Sequence, residues 1–301
     1  MEDYPRNIME FEERFSSEKD CREYLFQIRW PDGFKCPRCQ HNEAWTISDA
    51  LYRCKKCEFK IYITAGTIFQ DTRKPLRMWF RAMWSITNQK FGISALGLQK
   101  SLGMSNYRTA LTWMHKLRYA MVRPGRDRIS GIIEVDETYI GGKKAGKRGR
   151  GAEGKVLIVI GAQIDGNHIG RIRLKRVSNA SGKNLERVIQ QTIELGSVVR
   201  TDGWDGYSQL GSIGYVHEIV REDVSVGKNL LPKCNMVASL LKRWLLGIHQ
   251  GAVHISHIDY YLDEFTFRFN RRTSASRGKL FYRLIQQAVN VNPVHSKDLV
   301  S

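Results

Sequence analysis

The sequence predicts an α+β chain of several domains: a small cysteine-rich module and a helical pair, followed by a mixed sheet flanked by helices. Three observations predict it. Two Cys-x-x-Cys pairs fall between residues 34 and 64. From Pro75 to about Val122, apolar residues recur at helical spacing. Past Pro124-Gly125, short apolar runs bounded by turn residues take over, as in strands. At 301 residues and 42% hydrophobic content, the chain has the material for two or more cores.

Residues 1–30 form a helical lead-in, with Phe11, Phe15, Tyr24, Leu25 and Ile28 near helical spacing and Pro31-Asp32-Gly33 closing it. The cysteine module spans 31–66, where Tyr52 and the run from Phe59 to Ile63 suggest short hairpin strands. A helical domain spans 75–123. Pro75 suits an early helical position, and Leu76, Trp79, Phe80, Met83, Trp84 and Ile86 make one apolar face. Phe91 to Ser105 reads as helix and then a turn at Gly103, and Tyr107 to Arg118 as the next helix with Ser105 its N-cap. Leu96, Leu102, Ala110, Leu111 and Leu117 supply its core.

The second half runs over 129–290, with a tail at 291–301. Strands are predicted at Ile132 to Asp136, Val156 to Ile164 and Ile169 to Val177, the last two joined through Asp165-Gly166-Asn167. A helix from about Ser181 to Leu195, a strand Ser197 to Thr201 and a weaker one near Val216 to Val220 follow. Two helices, about Asn235 to Leu246 and Ser256 to Asn270, complete the chain.

Charge narrows the partner. Lys and Arg total 48 against 30 Asp and Glu, a net charge of +18 that favours a polyanion. The excess is densest in residues 31–130, at +12, and is reversed in residues 1–30, at −3. No run of 18 apolar residues and no charged-then-apolar leader is present, which points to a cytoplasmic protein with no membrane span.

Cys36 and Cys39, then Cys54 and Cys57, have the spacing of a structural zinc site. Each pair offers two thiolates from one turn, and two turns close a tetrahedron with no position for water. The ion also replaces the core that about 30 residues cannot build alone. Arg38, Arg53, Lys55, Lys56 and Lys60 around it could meet phosphate, or form a solvated basic knuckle. Cys21 and Cys234 stand apart as ordinary thiols.

In a helix-turn-helix the second helix lies in the major groove, so Asn106, Tyr107, Arg108 and also Thr112 would face DNA. A plain helical hairpin has the same pattern. Between Gly141 and Gly151, Lys143, Lys144, Lys147, Arg148 and Arg150 stand without an acid, as a basic arm or a solvated loop. Arg268, Arg271 and Arg272 form a second basic patch.

Two aspartates end apolar runs, Asp136 after Ile132 to Val135 and Asp202 after Val198 to Thr201. A carboxylate there is poorly explained by packing. Together with the motifs Glu134 to Gly142, Thr201 to Tyr207, Ser239 to Trp244 and Tyr261 to Arg272, the chain resembles the ISXO-like insertion-sequence transposases over roughly residues 15–290. These belong to the DDE superfamily and carry an N-terminal zinc ribbon.

The resemblance implies an RNase H-like domain in which two Mg²⁺ or Mn²⁺ ions lie between acidic residues. It places Asp136 at the first acidic position and Asp202 at the second. The third, usually Glu, is Asn235, which can coordinate through its carbonyl oxygen but brings no charge and cannot act as a base. Lys242, two helical turns on, would reach a phosphate. Glu137, Asp205 and Glu264 are reserve carboxylates. The expected protein is a metal-dependent enzyme that binds the terminal inverted repeats of its element, cleaves there and joins 3′-hydroxyls to target DNA. It would act as a dimer or larger assembly, nucleoid-associated when on DNA. A catalytically silent, transposase-derived DNA-binding protein is the alternative, motivated by Asn235.

Overall fold

Two helices, not one, make the lead-in, because Ser17 restarts the chain. The computed structural model describes residues 2–123, 125–141, 155–222, 229–249, 254–295 and 299. Contacts divide it into two units, Met1–Pro124 with Thr273–Ser301, and Gly125–Arg272. Helix α1 is Ile8–Arg14 and α2 is Glu18–Arg29. Between them the Ser17 hydroxyl accepts from the Asp20 amide while the Asp20 carboxylate accepts from the Ser17 amide, a reciprocal cap.

Strands β1 (Ala44–Ser48), β2 (Leu51–Cys54) and β3 (Lys60–Tyr62) form an antiparallel sheet in that order. The Arg29 guanidinium ties α2 to its far end, donating to the carbonyls of Tyr62 at 3.1 Å and Ala65 at 2.5 Å and also to Ile63. Burial pulls that guanidinium down to about 10, so its bonds to three carbonyls offset a real desolvation cost. Helix α3 (Leu76–Asn88) buries the apolar face the sequence marks, and the Glu18 carboxylate accepts from its first amides, Leu76 at 2.7 Å and Arg77 at 3.1 Å.

Helices α4 (Ala95–Ser101) and α5 (Tyr107–Ala120) give the expected helical pair, with Gly103 at φ +60 in the turn. Two details differ. Asn106, not Ser105, caps α5, its side-chain oxygen accepting from the Arg108 amide at 2.7 Å. Leu96 is 50% exposed rather than in the core. Because α4 starts at Ala95, Ala95 and Leu98 share the inward face, and Leu96 lies about 100° round from Ala95.

The second unit is built on five strands: β4 (Ile132–Ile140), β5 (Val156–Asp165), β6 (His168–Val177), β7 (Val198–Thr201) and β8 (Val216–Ile219), in the order β6-β5-β4-β7-β8. The first three are an antiparallel meander; β7 is parallel to β4, and β8 to β7. Helix α6 (Gly182–Thr192) makes the crossover to β7, and α7 (Pro232–His249) and α8 (Ile258–Phe269) follow β8. One face packs Ile133, Val135 and Val159 against Leu185 and Ile189 of α6. The other packs Ile158, Ile160 and Leu174 against Val237 and Leu241 of α7 and Leu262 and Phe265 of α8. β5 is therefore buried on both faces, which is why Val156 to Ile160 reads as a continuous apolar run rather than an alternating one. This mixed sheet with helices on both faces is the RNase H-like arrangement.

The chain then gives a helix that the sequence reading did not include. α9 (Gly278–Ala288) belongs to the first unit, and the second closes at Arg272 rather than near 290. The reason is an apolar stripe of Leu280, Phe281, Leu284, Ile285 and Ala288 with helical period. Phe281 enters an aromatic cluster with Phe11 at 5.5 Å and Phe80 at 5.8 Å between ring centroids. Gly278 passes so close to the N-terminal segment that a Cβ would lie 1.6 Å from the Pro5 carbonyl oxygen.

Candidate metal and DNA sites

The four module cysteines converge. Their sulfurs all lie within 4.8 Å of one another, with Cys36 to Cys57 and Cys39 to Cys54 each 3.6 Å apart. A tetrahedral zinc with Zn–S bonds of about 2.3 Å requires sulfurs about 3.8 Å apart, so the donor set fits the ion closely. Both knuckles fold alike. The Cys36 carbonyl accepts from the Gln40 amide at 2.9 Å, and the Cys54 carbonyl from Glu58 at 3.0 Å. Gln40 and Glu58 each take the left-handed conformation, at φ 60 and φ 58, and so turn each chain away from its knuckle. Among the basic residues nearby, Arg53 pairs with Glu58 at 2.5 Å and Lys55 with Glu43 at 3.7 Å, whereas Arg38, Lys56 and Lys60 are exposed.

The carboxylate site is built from three separated segments. β4 and β7 run parallel, and the last pair of their ladder is Glu134 with Arg200; Asp136 and Asp202 each lie two residues further on, so both follow the same end of that ladder. Neighbouring strands lie about 4.8 Å apart, so the two aspartates start from adjacent backbones at the end of the ladder. Each carboxylate also accepts a local amide, Asp136 from Glu137 at 2.8 Å and Asp202 from Trp204 at 3.0 Å.

Alternation along β4 sends Glu134 and Asp136 to the α7 side and Glu137 to the α6 side. Glu137 accepts from the Tyr207 hydroxyl at 2.7 Å, which links β4 to the segment that follows Asp202. Tyr207 is fully buried, and desolvation with Glu137 beside it pushes the phenol far above its ordinary value, so it remains a donor.

Asn235 stands in the first turn of α7, as its fourth residue rather than its first, since the helix begins at Pro232 and not at about Asn235. It is exposed, and its amide donates to the Asn229 side chain at 2.7 Å. Lys242 is exposed two turns further along the same helix. Next to Asn235, the Cys234 thiol is fully buried; desolvation, then the charges of Asp136 and Glu134, push it far above its usual range. The first turn of α7 therefore lies within electrostatic reach of Asp136. Oxygen donors of these types, a neutral amide and carboxylates, are the kind that hard divalent cations take.

Glu134 is the residue that the sequence reading passed over. Its carboxylate is buried, yet Oε2 accepts from the Lys233 amide at 2.7 Å and the Cys234 amide at 3.0 Å. The signal was an acid set between Ile133 and Val135 in a buried run.

On the helical pair, Asn106, Arg108 and Thr112 line a groove of about 500 Å³ along α5, together with Arg73, Lys74, Lys116 and His295. Trp79 and Trp113, stacked 3.7 Å apart at 12°, form its wall. Tyr107 is 49% exposed and lies outside the groove. The basic residues Lys143, Lys144, Lys147, Arg148 and Arg150 lie outside the described residues.

The second basic patch is largely engaged at home. Arg271 donates to the Phe267 carbonyl at 3.1 Å and lies over that ring at 4.0 Å. Arg272 donates to the Phe269 carbonyl at 3.0 Å and the Gly170 carbonyl at 3.3 Å, which ties the end of α8 to the start of β6. Asn270 beside them pairs with both the amide and carbonyl of Ile172, occupying the edge of β6.

Residues 128–270 match the ISXO2-like transposase domain, and residues 16–59 match the transposase zinc-ribbon domain. An uncharacterized protein in the transposable element ISH50 of Halobacterium salinarum is 26% identical over 282 residues, covering 84% of this chain and 91% of its own length. A chain of the Mos1 strand transfer complex aligns over 73% of this chain and 78% of its own, at 12% identity and a TM-score of 0.25, too slight a likeness to bear on the fold.

Proposed function

Because this chain belongs to the ISXO2-like transposases, we propose that it binds the ends of its own element, cleaves phosphodiester bonds there and joins the freed 3′-hydroxyls to target DNA. The observation behind this reading is that Asp136 and Asp202 each lie two residues past the Glu134–Arg200 pair of neighbouring parallel strands, with the first turn of α7 bonded to Glu134. Mg²⁺ or Mn²⁺, when bound, would activate water or a 3′-hydroxyl and neutralise the leaving oxygen. Asp136 and Asp202 would hold it with charged oxygens, and Asn235 with a neutral one. With one negative charge fewer than three acids supply, the site depends more on substrate phosphate to complete it.

Lys242 meets a phosphate flanking the scissile bond as a point charge, from the same helix that carries Asn235. Glu137, fixed by Tyr207, braces the strand rather than the ion. Zinc holds the module at Cys36, Cys39, Cys54 and Cys57 in a structural role. The groove along α5, with Arg108, Lys74 and Lys116, receives the DNA backbone. Asn106 within the groove and exposed Tyr107 outside it meet base edges, and the basic residues 143–150 together with the exposed parts of Arg271 and Arg272 add phosphate contacts. Two element ends must be held at once, so a dimer or larger assembly on DNA, in the cytoplasm, is part of the reading.

Strand transfer of labelled element-end DNA into a plasmid tests it, with Mg²⁺ or EDTA, for wild type, D136A, D202A and N235A. Joined product that needs metal and disappears in both aspartate variants supports the proposal. Binding of the ends without cleavage or joining, in Mg²⁺ and in Mn²⁺, would instead favour a silent DNA-binding protein, the outcome that the neutral Asn235 would explain.

A further inference from the structure

The start of α7 raises a question of backbone bookkeeping. The first amides of a helix have no acceptor within it. Here Pro232 has no amide proton, the Asn235 amide reaches the Leu231 carbonyl at 3.0 Å, and the remaining two, Lys233 and Cys234, both donate to Oε2 of Glu134. One carboxylate therefore satisfies the whole first turn. It also sets negative charge at the positive end of an 18-residue helix.

Glu134 is 4% exposed and sits one alternation below Asp136 on the same face of β4. Cys234 reinforces the joint, its thiol donating to the Glu134 carbonyl at 3.3 Å and the Ile160 carbonyl at 3.5 Å. The residue that follows these contacts is Asn235, whose own amide is bonded to the Leu231 carbonyl at 3.0 Å.

We propose that Glu134 is a positioning residue for the carboxylate site: its buried carboxylate ties the first turn of α7 to β4 and so fixes where Asn235 stands relative to Asp136. This rests on the reading of Asp136, Asp202 and Asn235 as the metal-holding set. A positioning role is a matter of geometry, and charge at Glu134 is secondary. Gln keeps an oxygen at the same reach and can accept both amides; Asp keeps the charge but is one methylene too short.

The test is Mn²⁺ binding to the full chain, followed by the electron paramagnetic resonance signal of free Mn²⁺, for wild type, D136A, E134Q, E134D, N235A and the double variant E134D/N235A. Thermal melts confirm that each is folded. Glu134 as a positioning residue predicts binding within about threefold of wild type for E134Q and about tenfold weaker for E134D, in line with the usual effect of losing a group that orients a metal ligand. It also predicts that E134D adds little once Asn235 is already Ala. E134D binding as well as E134Q or better would overturn it, because charge and not reach would then matter. Full additivity of E134D and N235A would overturn it as well. Unchanged Mn²⁺ binding by D136A would strike the metal-site reading itself, whatever the Glu134 variants do.

Discussion

The zinc module and the carboxylate site solve the same problem, gathering metal donors, in opposite ways. In the module, two knuckles 15 residues apart from Cys39 to Cys54 bring four sulfurs to tetrahedral spacing beside a small three-stranded sheet. In the second unit, Asp136, Asp202 and Asn235 come from β4, the end of β7 and the start of α7, spread over 100 residues, and a packed sheet sets their backbones. Ion and fold are one event in the first region. In the second, on the proposed reading, the fold precedes the ion, and the Glu134 and Tyr207 side-chain bonds hold the segments that carry the donors.

If that contrast holds, removing the ion acts very differently on the two regions. Chelation of zinc should expose Cys36, Cys39, Cys54 and Cys57 to alkylation together, as the module loses on the order of 10–16 kcal/mol of metal-coupled folding. Cys21 and Cys234, both fully buried, should stay protected. Mass spectrometry after a thiol-blocking pulse reads this, and equal labelling of all six cysteines would break the contrast. Phe281→Ala, which empties the centre of the aromatic cluster around α9, should cost about 3–5 kcal/mol in denaturant unfolding.

A third effect belongs to the second unit. Desolvation raises the Asp263 carboxyl to about 7, against the pull of Lys175 and Arg126. A carboxyl whose folded value is raised contributes stability in acid and loses it as pH rises through about 7. Asp263→Asn should therefore melt higher than wild type at pH 8, by a smaller margin at pH 5, and show no advantage at pH 3, below the ordinary carboxyl value; an advantage that grows toward acid would contradict the burial argument. The smallest effect is local to the knuckles. Gln40→Gly relieves a left-handed residue and should raise module stability by about 1 kcal/mol or less, with zinc affinity as the readout.

The two regions were not equally legible in the sequence either. The zinc ligands are a short-range pattern, and spacing alone found all four. The strands β4 to β8 were found because apolar period and turn residues are local too, whereas the parallel pairing of β7 with β4 came only with the structure. What stayed hidden depends on long-range packing. Asn106 displaced Ser105 as the cap because either neighbour can play that part, and the choice is made by how α5 packs. Leu96 turned outward once α4 began at Ala95. Helix α9 carries a clear stripe, but the partners of its Phe281 lie 201 residues away at Phe80, 266 at Phe15 and 270 at Phe11. Asp136, Asp202 and Asn235 came from the family resemblance; nothing in their local sequence says that β4 and β7 are neighbouring strands. Glu134 was visible only as an acid in an apolar run, and its purpose appears with the two amides 99 and 100 residues later.

The central claim is that Asp136 and Asp202 hold the metal that cuts DNA. Cleavage of element-end DNA by D136C and D202C, each in Mg²⁺ and in Mn²⁺, tests it most directly, because thiolate is a poor ligand for Mg²⁺ and a better one for softer ions. The account predicts that both variants are silent in Mg²⁺ and recover measurable cleavage in Mn²⁺. Cleavage in Mg²⁺ at the wild-type rate by either variant would contradict it, since that aspartate would not then be touching the ion.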